Sequence, residues 1–487
     1  MAFSVRRSLA WMTMSQGGLV VMQFGATLVI ARLLSPYETG VFTLAAAMAG
    51  LLGMLRTLGL SNYVIRAIDT SPAFLAGVFT VNAVLSAVVA VLTVAMSVLG
   101  GALLGEPGVR DVLLVLAVIP LLACLEFLPS ACIERTGNFR TVAMVNLGRN
   151  FVATAVMLTF AFAGHSYMSL AYGQVAGAVV AVVAFNAIGR RFASLAFGRH
   201  GWREIARYGL NMLAASVGVL AARLSDFILG WLLGLHALGV YSRAAGLLAM
   251  IWENFSLIMG RVVFVALIEQ RRRGLSFRDT YLRVLAIATA LLWPTLGGLA
   301  VVSGPVLLTL YGAQWVGGAL VLSLLAVGTM VSVTIILTGE VFVASDETAR
   351  LARCEAVRCL FGVAGFTFGC LGGVGWAAAA RIAEAALGVA LYRPHLARMT
   401  DTTFADCLPE LRRGAMLTVL AVAPAALVMV LNGWSPHAPL LQVLAGIATG
   451  VTFWAGGLCY LDHPLWREAR RAVAQLRPNA GLGGRPK

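Results

Sequence analysis

The sequence predicts an all-α polytopic membrane protein, and three observations carry that reading. The first is composition: of 487 residues, 60% are hydrophobic and only 12% are charged, with a mean hydropathy of +0.88. Soluble domains carry about 25% charged residues. A chain of this length lacks the charge to cover a water-exposed surface, which excludes soluble enzymes and disordered chains. The second is a succession of apolar runs, each near the ~20 residues that cross a bilayer as a helix. The third is the placement of the basic residues. Of 36, all but Lys487 are arginine. They fall in short stretches beside apolar runs, where they set topology, rather than in a patch suited to nucleic acid.

Taken in order, the runs fall at roughly 8–31, 40–62, 74–100, 112–133, 150–164 and 167–188, then at 208–232, 239–267, 281–303, 317–344, 355–371 and 373–392. Two more follow at roughly 414–432 and 438–460, about fourteen transmembrane helices in all. Arg6 and Arg7 precede the first run as in a signal peptide. That run continues to about Ile30 through Gln16 and Gln23 without a clear cleavage site, and it reads as an uncleaved first span. Placing the N-terminus inside puts 29 basic residues on the cytoplasmic side and only Arg32 and Arg110 outside. Both termini are therefore expected in the cytoplasm. The expected organisation is a six-helix bundle over 1–188, a basic linker at 189–207, a second bundle over 208–392, a loop at 393–413, two further helices over 414–460 and a basic tail at 461–487. The basic loops and tail suit the anionic inner leaflet.

An internal repeat supports the two-bundle organisation. Residues 31–47 and 230–246 match at a constant offset of 199: Leu33, Leu34, Gly40, Val41, Ala45 and Ala46 recur as Leu232, Leu233, Gly239, Val240, Ala244 and Ala245. Six predicted helices separate the copies, so both halves have the same orientation. Parallel repeats of this kind build transporters with the substrate site between the halves.

Ionisable residues inside spans are the best candidates for function, because each costs roughly 2.5–3.5 kcal/mol at a helix centre. Arg56, Arg243, Arg261 and Glu340 lie near predicted helix ends, where long side chains reach the interface. Glu126, Arg223, Asp226, Glu253, Arg381 and Glu384 lie near mid-span. Arg223–Asp226 and Arg381–Glu384 are spaced i,i+3, so each pair shares a helix face. Each reads either as a self-neutralised structural pair or as a cavity arginine held by its acid until an anion arrives. Arg56 joins these as a candidate substrate residue. Glu126 and Glu253 lack partners on their own helices, and read as proton-binding acids or as hydrogen-bonded helix contacts. The seven cysteines form no C-x-x-C pair and the six histidines have no metal-binding spacing. Gly373-Val-Gly375 follows no strand and suits helix packing better than a dinucleotide. No Walker loop is present.

At these residues the chain resembles the polysaccharide transporter family of the MOP flippase superfamily, the Wzx-type exporters. The resemblance rests on Ala31-Arg32-Leu33-Leu34-Ser35-Pro36 with Gly40, on Gly59-Leu60-Ser61, and on Asp226, Leu229-Gly230, Leu233-Gly234 and Leu238-Gly239-Val240-Tyr241-Ser242. Tyr311-Gly312, Gln314-Trp315 and Glu134 with Phe139 also fit, and the likeness covers roughly residues 8–392. It implies two six-helix bundles of the MATE-like MOP fold, two extra helices, and a non-enzymatic flippase in the bacterial inner membrane. The implied cargo is an undecaprenyl-pyrophosphate-linked oligosaccharide, moved from the cytoplasmic to the periplasmic leaflet. Arginines suit its pyrophosphate. No cofactor is implied beyond coupling to a proton or sodium gradient. A polymerase and a chain-length regulator are the implied partners. A MATE-like multidrug antiporter is the alternative, with a membrane-embedded polymerase or glycosyltransferase behind it.

Overall fold

The computed structural model describes residues 2–56, 60–67, 71–190, 196–198, 202, 204–205, 217–468 and 470. Gly59, most of the expected linker at 189–207 and the tail beyond 470 lie outside the described residues. Among the described residues the chain is helical, with no strand. In order these helices are α1 (Ala2–Leu33), α2 (Pro36–Gly53), α3 (Leu60–Arg66), α4 (Pro72–Leu104), α5 (Pro107–Leu116), α6 (Ile119–Arg135), α7 (Phe139–Phe162), α8 (Met168–Ile188) and the long α9 (Val217–Arg272). They continue as α10 (Arg278–Val301), α11 (Ser303–Leu310), α12 (Ala319–Val333), α13 (Thr338–Ala344), α14 (Thr348–Leu371), α15 (Val374–Thr400), α16 (Phe404–Leu431) and α17 (Leu440–Tyr460).

Twelve helical stretches among the described residues have the length and hydropathy of a membrane crossing. The chain is a multi-pass membrane protein. The expected fourteen differs by two. In α1 the apolar stretch Val20–Leu33 is too short to count among the twelve, and Leu220–Ser256 is one stretch although α9 breaks within it at Gly234, φ 83° and ψ 171°. That left-handed φ suits glycine.

The chain forms two compact units: residues 1–242 with 310–314, and residues 243–309 with 315–487. The division therefore runs through α9, not through the linker expected at 189–207. The part of α9 up to Ser242 belongs to the first unit, where Gly239 meets α2. In that unit Ser35 opens α2 with a capping box: its side chain accepts from the Glu38 N–H, while the Glu38 carboxylate accepts from the Ser35 N–H at 2.7 Å. Pro36 fits the first turn, where no N–H partner is needed. A side chain at Gly40 would place Cβ 1.8 Å from the Leu235 carbonyl oxygen, and one at Gly239 would place it 1.8 Å from that of Pro36. Each contact is the other shifted by 199 residues, so the repeat seen in sequence is a reciprocal crossing in space. The Thr43 and Ser242 hydroxyls, also 199 apart, lie 3.5 Å from each other within it.

In the second unit α10 packs on α12 and α16, α14 on α15, and α16 on α17. Trp454 of α17 ties to α10 by donating to the Ala290 carbonyl at 2.9 Å. The turns between helices are stitched by ions. Arg271 meets Asp346 at 2.6 Å, Arg278 meets Asp406 at 2.7 Å, and Glu347 binds both Arg350 and Arg398. The hydrogen bond from Arg271 holds the exposed Asp346 carboxyl below its usual range.

Candidate charged site in the first unit

The charges of the first unit gather where α6, α7 and the end of α2 approach one another. Asn138 caps α7, accepting from the Thr141 N–H, so the helix begins at Phe139 instead of near 150. Arg149 consequently sits well inside the helix and not in the cytoplasmic loop to which its charge assigned it. It reaches Glu126 of α6 at 3.6 Å, an ion pair without a hydrogen bond. The second Glu126 oxygen is buried with no hydrogen-bond partner. Arg56, in the helical turn Met54–Arg56 that ends α2, lies within electrostatic range of both. Among the described residues its guanidinium makes no hydrogen bond or ion pair. Asn82 and Ser86 of α4, each 1% exposed, face the Cys124 thiol nearby. Glu126, without a partner on its own helix, has cations on two other segments. The group carries two guanidiniums against one carboxylate.

Arg223 belongs to the same unit. The exposed Arg223 side chain extends to α2, with Nε 3.2 Å from where a Gly50 Cβ would stand, and among the described residues no ion pair joins it to Asp226. Three residues of spacing put both groups on one face, as read from sequence. The open surface at Gly50 draws the long arginine across to α2, while the short Asp226 side chain stays half-buried.

The second unit holds charges in a different manner. Arg381 and Glu384 pair at 2.6 Å, as their spacing suggests. The other Glu384 oxygen takes Arg358 of α14 at 2.5 Å, and Arg358 continues to Glu355 at 2.8 Å. The Arg381 guanidinium also lies 4.4 Å above the Phe366 ring. Gly362 makes room for the shared carboxylate, since a Cβ there would come within 2.6 Å of it. Two arginines and two glutamates make this network neutral, and each charge is hydrogen-bonded. Arg243 lies 5.4 Å from the Trp315 ring, Glu253 is exposed, and a Glu340 oxygen lies 2.9 Å from the Cβ position of Gly260. The Arg261 side chain lies outside the described residues.

Buried charge is tolerated when paired and hydrogen-bonded, and is costly otherwise. By that rule the α14–α15 network is a finished structural element. The Arg56–Glu126–Arg149 group is incompletely bonded and net positive, and can accept an oxyanion. Sequence reasoning missed Arg149, Arg358, Asn82 and Ser86. For Arg149 the signal was the Asn138 cap, which sets the start of α7, and for Asn82 and Ser86 the i,i+4 polar pair in an apolar span; Arg358 had none. No group of three or more metal-ligating side chains occurs among the described residues.

The family described as "Polysaccharide biosynthesis protein" matches residues 29–319. The succinoglycan biosynthesis transport protein ExoT of Rhizobium meliloti (strain 1021) is 24% identical over 330 residues, covering 67% of this chain and 66% of that protein. The lipopolysaccharide biosynthesis protein WzxC of Escherichia coli (strain K12) is 24% identical over 304 residues, 61% of each. The matches thus span about two thirds or less of those relatives. Among solved structures, the lipid II flippase MurJ in its inward closed conformation covers 93% of this chain and 100% of its own, with a TM-score of 0.74 and 14% identity. A MATE family multidrug transporter of the MOP superfamily covers 79% of this chain and 96% of its own, with a TM-score of 0.57 and 16% identity. The chain shares its fold with these two structures.

Proposed function

Because this chain belongs to the polysaccharide biosynthesis protein family, we propose that it is a non-enzymatic flippase of the bacterial inner membrane. Its cargo in this reading is an undecaprenyl-pyrophosphate-linked oligosaccharide, passed from the cytoplasmic to the periplasmic leaflet, with both termini cytoplasmic. The observation that carries the reading is the under-bonded cationic group of the first unit. A pyrophosphate brings the oxygens that Arg56 and Arg149 lack, and guanidinium binds such oxygens in bidentate fashion. Glu126 holds the cations apart from lipid while the seat is empty. Arg223, exposed on α9, is a further cation for the same headgroup. Arg381 and Glu384, saturated by Arg358 and Glu355, act as scaffold. A cationic drug would favour an acid-rich site, and this one has an excess of arginine.

Coupling to a proton or sodium gradient falls to Glu126 and Glu253. Glu126 would take its ion as phosphate draws Arg149 away.

Deletion of the gene should stop surface polysaccharide while lipid-linked repeat units collect on the cytoplasmic leaflet. Expression of Arg56→Ala/Arg149→Ala at normal protein level should fail to restore polymer, with Arg149→Lys restoring part. Normal polymer in the deletion strain, accompanied by altered drug tolerance, would instead support the antiporter.

A further inference from the structure

Residues Leu310–Gln314 are unusual in their allegiance. They are flanked on both sides by the second unit yet pack with the first. The Tyr311 ring is buried, 1% exposed, and polar contacts join it in holding the segment. Gln314 Nε2 donates to the carbonyls of Ala31 and Leu34 at 3.0 and 3.1 Å, and Arg32 Nε donates to the Leu310 carbonyl at 3.4 Å. The last carbonyls of a helix have no partner within it. A side chain remote in sequence therefore caps the end of α1. Gly312, at φ 108°, gives the segment its turn.

The fastening lies beside the reciprocal crossing. Leu34 accepts from Gln314, Ser35 caps α2, and Pro36 gives its carbonyl to Gly239. The crossing is backbone against backbone, with no side chain threaded through it at Gly40 or Gly239. Gln314 gives two of the hydrogen bonds that fasten it, to carbonyls that water can satisfy equally well once α1 moves outward. A bond of this kind shifts an equilibrium by about an order of magnitude, within reach of ligand-driven population changes.

We propose that Leu310–Gln314 is a releasable strap. Gln314 fastens the outer end of α1 and holds the Gly40–Gly239 crossing shut, and strap and crossing part together when the outer side opens. The proposal rests on the transport reading and on the cytoplasmic placement of the termini.

Two measurements test it, in the full chain with the exposed Cys459 replaced by serine. In the first, cysteines replace Thr43 and Ser242, whose hydroxyls face each other across the crossing. Oxidation should join them and abolish polymer export, and reductant should restore it, while each single variant exports normally. Full export by the cross-linked protein would show a permanent rivet and overturn the strap. The second needs no transport. With Thr43→Cys alone, an impermeant thiol reagent added from outside should react several-fold faster once Gln314→Leu or Gly239→Ala is introduced. Unchanged labelling of well-expressed variants would overturn the proposal even if export is intact. Increased labelling in a protein that exports nothing would leave the strap standing and count against the flippase reading alone.

Discussion

Single residues separate charge used for scaffolding from charge left available. Glu384 is the centre of the α14–α15 network, bonding Arg358 and Arg381 at 2.5 and 2.6 Å. Replacing it with glutamine strands two half-buried guanidiniums. The expected loss is roughly 1–3 kcal/mol after allowance for their partial exposure, read as a lower melting temperature in detergent. The equivalent change at Glu126 should cost far less, because its 3.6 Å pair contains no hydrogen bond to lose. Equal losses at both positions would contradict the distinction between the two sites. Arg381–Glu384 was legible from i,i+3 spacing. Arg358 was not, because spacing along one helix says nothing about which neighbour packs against it.

Helix ends show how local chemistry places larger pieces. The first turn of α2 is specified by three adjacent residues, Ser35, Pro36 and Glu38, and α7 by Asn138, so their starts are readable in principle. After α17, the chain turns at Asp462 and buries His463, 0% exposed, with its Nδ1 accepting from the Leu465 N–H at 3.2 Å. Burial, followed by the nearby Arg413 and Arg467, pushes this imidazole down from 6.5 to about 4. Above about pH 6.5 the ring is neutral in folded and unfolded chains alike. Between 6.5 and about 4 the unfolded chain binds a proton that the folded chain refuses. Stability should therefore fall with pH across that window, by up to roughly 3 kcal/mol, and level off below it. Unfolding midpoints measured from pH 7.5 to 4 check this, with His463→Asn expected to flatten the slope. An unchanged slope in that variant would assign the acid sensitivity elsewhere.

For the whole molecule, the arginine distribution makes a directional claim. Cysteine introduced at Glu106 should react with an impermeant reagent in intact cells. Cysteine at Asp346 should react only after the inner membrane is opened. The inverse pattern would reverse the topology and, with it, the side on which the strap opens. The offset of 199 residues is the other molecule-wide feature. In sequence it is a faint match among leucines, alanines and glycines. In space it is enforced at Gly40 and Gly239, where any side chain would collide with a carbonyl 1.8 Å away.

By itself the sequence determined the solvent, the helical class, the succession of spans and the repeat. These depend on sums and periods of hydrophobicity and charge along the chain, which survive without knowledge of neighbours. Only the tertiary structure decided the partners. It gave Glu126 to Arg149, drew Arg223 to Gly50, completed Arg381–Glu384 with Arg358, and set Gln314 on the end of α1. Those pairings join residues from 23 to 283 positions apart. A bilayer offers buried charges little water, so their partners are the polar groups that packing brings close, as for Arg149 and Arg358. Packing between helices follows shape at small residues, a property of facing surfaces and not of either segment alone.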